Sequence, residues 1–229
     1  KGLPPERIGE VVHTALTTTS LGPLVTITWP TIEVDSDKTV TEYRVDVNGS
    51  EITRFNASVR SCTLVGLTKG AAAYIAVTAY DSAGQWSSDP GNPTGTISAT
   101  YTPPTTGPGS GTTKLCVPTS DVDGDRLPDS VETSTGTYLH AGSTGSSPST
   151  ADTDGDGIKD GDEVLGTTAG LDLPAMGASP TKKNLAMEFD WFDDNAEPSV
   201  CGAHSHRPTA AVISQVSAAY GNAPVSNPN

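Results

Sequence analysis

Positive charge is scarce in this chain: Lys+Arg 13 stand against Asp+Glu 27, a net charge of −14 over 229 residues. That balance argues against nucleic acid and anionic membrane surfaces as partners. No apolar run approaches the ~20 residues needed to span a bilayer, so no membrane insertion is expected. Cysteines number 3, and an odd count leaves one over. Cys62 shares strand parity with Leu64 and is expected to be a buried free thiol. Cys116 and Cys201 then either form a disulfide or remain as two reduced, buried thiols. The motifs of catalysis are also missing. The chain holds no H-E-x-x-H, no Ser/His/Asp or Cys/His nucleophile arrangement, no phosphate loop and no basic-aromatic patch. No catalytic residue is therefore assigned. Arg-Gly-Asp is absent too, which removes support for integrin-type adhesion.

The acid that is present is concentrated. Residues 1–113 hold 10 acids and 7 bases, while 114–229 hold 17 acids and 6 bases, and 11 of those 17 acids fall in two short stretches. These are Asp121-Val-Asp-Gly-Asp-Arg-Leu-Pro-Asp129-Ser-Val-Glu132 and Asp152-Thr-Asp-Gly-Asp-Gly-Ile-Lys-Asp160-Gly-Asp-Glu163. Ca²⁺ takes about 6–8 oxygen ligands at roughly 2.3–2.6 Å, and a twelve-residue loop supplies them from alternate positions and a carbonyl at position 7. The spacing predicts ligands Asp121, Asp123, Asp125, Leu127 (carbonyl), Asp129 and Glu132 in the first loop. In the second they are Asp152, Asp154, Asp156, Ile158 (carbonyl), Asp160 and Glu163. Gly157 stands where the second loop must turn sharply; Arg126 takes that place in the first, so weaker binding is expected there. Without cations these acids would repel one another, so metal binding should be coupled to folding. At least two Ca²⁺ ions are expected and zinc is not. The alternative is two acidic, Gly-rich surface turns.

Residues 8–102 read as short strands broken by turns, the pattern of a β-sandwich. In Leu24–Trp29 one face carries Val25, Ile27 and Trp29; in Glu42–Val47 it carries Tyr43, Val45 and Val47. Ala73–Tyr80 places Ala73, Ile75, Val77 and Ala79 together, and Arg60–Leu64 and Thr96–Tyr101 supply further strands. Period-two patterning with one polar face means half-buried antiparallel strands. Trp29, Leu67-Thr-Lys-Gly70 and Val77-Thr-Ala-Tyr-Asp-Ser-Ala-Gly84-Gln-Trp-Ser87 make this region resemble a fibronectin type III domain. That family usually has a tyrosine six residues after the leucine. Here Ala73 stands there, so either the corner hydrogen bond is lost or Tyr74 supplies it.

Thr102–Thr113 is a linker by composition, semi-extended and with no apolar side chain to bury. It divides a sandwich (1–102) from a loop segment (114–180). One short helical turn is expected after each loop, at 129–133 and 160–165, with almost nothing apolar between them. The segment resembles bacterial thrombospondin type 3 repeats, which wrap irregular backbone around calcium. In that family the connecting stretch often carries more aspartates; Ala141-Gly-Ser-Thr-Gly-Ser-Ser-Pro148 has none.

From 181 onward, Asn184–Phe192 reads as a strand with Leu185, Met187, Phe189 and Trp191 on one face. Pro208 opens a helix presenting Val212, Ile213, Val216 and Tyr220. Two elements cannot bury such faces alone, so an interrupted domain is expected. Lys182-Lys-Asn-Leu-Ala-Met-Glu188-Phe-Asp190-Trp191 and His206-Arg-Pro208 resemble the opening of a catalytic domain in secreted bacterial metallopeptidase-like proteins. Glu188, Asp190, Asp193 and Asp194 are read as a further calcium shell or a solvated edge. Cys201, His204 and His206 are a weaker candidate for zinc.

The fold class expected is mostly β: a fibronectin type III-like sandwich, an irregular calcium-binding segment and a short strand–helix piece. The function expected is a secreted or cell-surface bacterial module in which Ca²⁺ rigidifies the segment between sandwich and C-terminal piece. The alternatives are the N-terminal part of a zinc metallopeptidase, or an adhesion or carbohydrate-binding module presenting Tyr74, Tyr80 and Trp86. Partners would be the remainder of a parent chain or an extracellular protein or glycan, with the chain itself monomeric. Starting at Lys1 without a hydrophobic leader, it is expected to be a processed or excised piece.

Overall fold

Period-two patterning folds the N-terminal half into two antiparallel sheets. The computed structural model describes residues 16–32, 39–82, 96–191 and 206–222. The strands are β1 (Thr17–Leu21), β2 (Leu24–Thr28), β3 (Val40–Val47), β4 (Ser50–Asn56), β5 (Ser61–Val65), β6 (Ala73–Asp81), β7 (Thr96–Tyr101) and β8 (Leu115–Val117). One sheet runs β1-β2-β5-β8 and the other β4-β3-β6-β7. The alternating residues predicted to face inward do so. Val25, Ile27 and Trp29 of one sheet meet Tyr43, Val45, Val47, Ile75, Val77 and Ala79 of the other, all buried. Trp29 sits against both Tyr43 and Phe55, with ring centroids 5.8 and 6.1 Å apart. Strand β4 is an addition to the predicted set. Its signal is Asn48-Gly49, which holds φ of 54° and 78° and so makes the two-residue turn whose twist matches a hairpin.

Ala73 is buried and Tyr74 is half exposed, so Tyr74 does not fill the corner position. Tyr80 lies beneath the guanidinium groups of Arg54 and Arg44, at 4.9 and 5.8 Å from its ring centroid. Trp86, the third aromatic of the predicted adhesive surface, lies outside the described residues.

Strand β8 changes two expectations. It pairs with β5 through Thr63–Val117, Leu64–Cys116 and Val65–Leu115, so the first residues of the loop segment complete a sandwich sheet. The Thr/Pro/Gly stretch leading to it is pinned: Gly70 and Gly66 donate N–H bonds to the carbonyls of Pro103 and Ser110, both at 3.0 Å. Cys62 is buried as predicted but is not a free thiol. It is bonded to Cys116 across β5 and β8, with Cα atoms 5.5 Å apart. Parity gave the direction of Cys62 correctly. The sequence does not announce the bond to Cys116, because a three-residue edge strand beyond a Pro/Gly-rich stretch leaves no pattern to read. Cys201 lies outside the described residues.

The segment 118–181 is largely irregular, with a 3₁₀ turn at Asp129–Val131, α1 (Asp160–Leu165) and α2 (Leu173–Met176). Both short turns expected after the loops are present. The expectation of almost no apolar core is corrected. Leu127, Val131, Ala141 and Val164 form a buried cluster with Leu24 and Val65 on the outer face of the β2–β5 sheet. A fully buried aliphatic side chain contributes roughly 1.5–3 kcal/mol, so this patch holds the segment against the sandwich. Four apolar residues scattered over 38 positions have no period, which is why they did not register as a core.

The strand predicted at Asn184–Phe192 does not form over residues 184–191: the backbone there has no ladder partner among the described residues. Leu185 and Trp191 are exposed. Alternation alone does not make a strand without a neighbour to hydrogen-bond. The helix does form, as α3 (Ala210–Gly221), capped by the Thr209 hydroxyl accepting from the Val212 N–H at 3.3 Å. It buries none of its residues, and Arg207 just before it lies over the Trp191 ring.

Candidate metal centres

Repeated aspartates at positions 1, 3 and 5 build the same loop twice. Asp121 accepts N–H bonds from Gly124 (2.8 Å), Asp125 (3.3 Å) and Arg126 (3.0 Å). Asp152 accepts from Gly155 (2.8 Å), Asp156 (3.3 Å) and Gly157 (3.0 Å). In each loop the position-5 carboxylate takes the N–H of position 7: Asp125 from Leu127 at 2.7 Å, Asp156 from Ile158 at 2.8 Å. Arg126 adopts φ +88°, close to the +96° of Gly157, so the arginine accepts the turn that glycine makes in the second loop. Its guanidinium reaches away from the loop to Asp162 and to the Gly166 carbonyl, 2.7 Å from the latter.

The position-9 acids close the loops. Asp129 accepts from the Ser120 hydroxyl and then the Val122 N–H, which hold its carboxyl below the usual range. Asp160 accepts from the Thr153 N–H at 2.9 Å and the Thr153 hydroxyl at 2.6 Å. The environments differ, because Asp160 is fully buried and Asp129 is not. Position 12 is buried in both loops, with Glu132 5% and Glu163 1% exposed. Glu132 accepts from the Ser146 hydroxyl at 3.1 Å. Glu163 accepts from the Asn184 amide at 2.7 Å, and the Asn184 N–H reaches Asp156 at 2.6 Å. Spacing within the loops gave no hint of Asn184, since it joins from 21 positions downstream of Glu163.

Several oxygens are left over. Both carboxylate oxygens of Asp123, and one each of Glu132, Asp154 and Glu163, are buried without a hydrogen-bond partner. A buried carboxylate with nothing to neutralise it is costly, and it protonates instead. Burial, then the carboxylates of Asp154 and Asp156, push Glu163 up to about 9. Burial, then Asp125 and Asp123, push Glu132 up to about 8. Asp125 and Asp154 rise to about 6, and Asp160 also rises, each first through burial. Among the described residues, three sets of acids bring ligand atoms within 4.8 Å of one another: Asp121, Asp123, Asp125; Asp152, Asp154, Asp156; and Asp125, Glu132, Asp160. These clusters could hold metal ions. Asp129 and Glu163 belong to none of them, and neither do Glu188 and Asp190. Asp193, Asp194 and His204 lie outside the described residues.

No protein-family model matches this chain, and no curated protein does. Among solved structures it is similar to the Clostridium perfringens spore cortex lytic enzyme SleM, at 20% identity over 38% of this chain and 26% of that one, TM-score 0.29. It is also similar to the 6th fibronectin type III domain from human fibronectin type III domain containing protein 3, at 22% identity over 45% of this chain and 97% of that one, TM-score 0.31.

Proposed function

We propose that this chain is an extracellular calcium-binding module. Ca²⁺ in the loops at 121–132 and 152–163 folds and rigidifies the segment that joins the β-sandwich to the residues beyond it. The observation that carries this reading is the set of buried, unpartnered oxygens on Asp123, Glu132, Asp154 and Glu163. The donor set fits the ion. Every side-chain ligand offers oxygen, and each loop ends in a glutamate able to bind through both of its oxygens, which suits a large hard cation and not zinc. Leu127 and Ile158 would add their carbonyls at position 7, as the resemblance to thrombospondin type 3 repeats implies. Residues Asp121 and Asp152 would hold both an ion and the loop backbone. Asp129 would serve chiefly as a backbone clasp.

The consequence is thermodynamic. An ion that binds only the folded form adds RT ln(1 + [Ca²⁺]/Kd), so millimolar calcium over a micromolar site contributes ~4 kcal/mol. Calcium at that concentration is found outside cells. An extracellular setting also agrees with the Cys62–Cys116 disulfide. Among the described residues no helix is long and apolar enough to cross a membrane.

Titration calorimetry with elemental analysis tests the proposal. Purified protein should bind at least two equivalents of calcium, and Asp154→Ala should remove one. An undiminished count in that variant, or metal-free wild-type protein, would overturn it.

A further inference from the structure

Strand β4 (Ser50–Asn56) is the outer strand of the β4-β3-β6-β7 sheet. Among the described residues it pairs only with β3, so its other edge is a row of N–H and C=O groups without a ladder partner. Proteins normally blunt such an edge, because it is a template for another chain. The charges on β4 do little to repel a neighbour, since Glu51 and Arg54 pair with each other. An asparagine stands at each end of this strand, and each begins an Asn-x-Ser tripeptide: Asn48-Gly49-Ser50 and Asn56-Ala57-Ser58. Nowhere else in the chain does Asn-x-Ser/Thr occur with an acceptable middle residue; Asn92-Pro93-Thr94 is barred by its proline.

Both tripeptides present their reactive parts to solvent: Asn48, Gly49, Ser50, Asn56 and Ser58 are all exposed. A Cβ on Gly49 would meet nothing within 4 Å, so the turn faces open space. The Asn48 side-chain oxygen accepts the Tyr74 N–H at 2.8 Å, while its amide nitrogen has no hydrogen-bond partner among the described residues. The tight turn accounts for Asn48-Gly49. It does not account for Ser50, whose hydroxyl also lacks a partner among the described residues. At the far end Ser58 donates its N–H, at 2.9 Å, and its hydroxyl to the Asn56 side-chain oxygen. That Asx turn sets the two recognised side chains of the tripeptide face to face.

We propose that Asn48 and Asn56 are attachment sites for N-linked glycans, which flank β4 and shield its open edge. The inference rests on the extracellular reading above, since this modification belongs to secreted chains. In the transfer, the amide nitrogen attacks the anomeric carbon of an oligosaccharide carried on a lipid diphosphate. The C–N bond forms as the bond from that carbon to the diphosphate oxygen breaks; the diphosphate keeps the electron pair and the nitrogen gives up one proton. Only the nitrogen is changed, so the Asn48 oxygen keeps its bond to Tyr74.

The test uses the full chain recovered from its native cells after fractionation. Peptide mapping by mass spectrometry should find the Asn48 and Asn56 peptides each heavier by a glycan. Ser50→Ala and Ser58→Ala keep both asparagines, and each should abolish one attachment while leaving calcium stoichiometry unchanged. The double variant should self-associate in sedimentation velocity at concentrations where wild type stays monomeric. Bare asparagine at both positions in protein found outside the cell would overturn the glycan sites and leave the calcium module standing. Protein confined to the cytosol would sink the extracellular reading as well. Glycans present on wild type, with a double variant just as dispersed, would overturn the shielding role.

Discussion

At position 126 an arginine holds φ +88°, a backbone region that costs a residue with a Cβ roughly 1–2 kcal/mol. Its guanidinium offsets part of this through Asp162 and the Gly166 carbonyl, although a half-exposed pair is worth at most about 1 kcal/mol. Two substitutions separate these effects. Arg126→Gly loses the tie and the strain together, and should leave stability in calcium within about 1 kcal/mol of wild type. Arg126→Ala loses only the tie and should be less stable than the glycine variant by about 1 kcal/mol. Urea unfolding of the pair measures the difference, and an alanine variant as stable as the glycine one would contradict the account. The sequence suggests weaker binding by the first loop because of this arginine. The structure shows what spacing cannot, namely where the long side chain goes: it leaves the loop and joins the neighbouring helix.

The two loops were legible because their acid pattern is local. Acids at fixed offsets, a sharp turn and a helical turn afterwards are all written within twelve residues. What joins the loops was not legible, because Gly161 against Asp125, Asn184 against Glu163 and the Leu24–Val164 cluster link residues far apart in the chain. These elements also predict an unusual pH response when metal is removed. Glu163 and Glu132 titrate near 9 and 8 in the folded chain, against an ordinary 4.5. A folded state that holds its protons more tightly than the unfolded one loses stability as pH rises. In chelator, the segment should therefore weaken steadily from about pH 5 to pH 9. In calcium the trend should vanish or reverse, since the ion holds the same groups ionised. Denaturation midpoints measured at pH 5 and pH 8, with and without chelator, decide it; a metal-free protein that gains stability over that range would refute the assignment.

Across the whole chain, the sandwich was readable from alternation, and its predicted inward residues are the buried ones. Its last strand was not readable, and the cysteine pairing failed with it. The Cys62–Cys116 bond closes a separation of 54 residues, which by loop entropy alone is worth about 4 kcal/mol. Replacing both cysteines by serine should lower unfolding stability by up to that amount while leaving calcium stoichiometry unchanged. A variant that loses its calcium together with the bond would show that the sandwich and the loops fold as one unit. Chelation should make 118–181 sensitive to protease while β1–β7 persist, and should uncover Leu24 and Val65, which the segment otherwise covers. Equal digestion rates with and without chelator would count against the coupling of metal to folding.

Strand β8 also sets where this protein can safely be cut. It lies along the outer side of β5, and its three residues give a poor template for another chain. A fragment ending after Tyr101, where composition invites a boundary, would bare the N–H and C=O groups of β5, leave Cys62 with a reactive sulfur and expose Leu24. Such a fragment should self-associate through that uncovered rim and form mixed disulfides, whereas one extended past Val117 should stay dispersed.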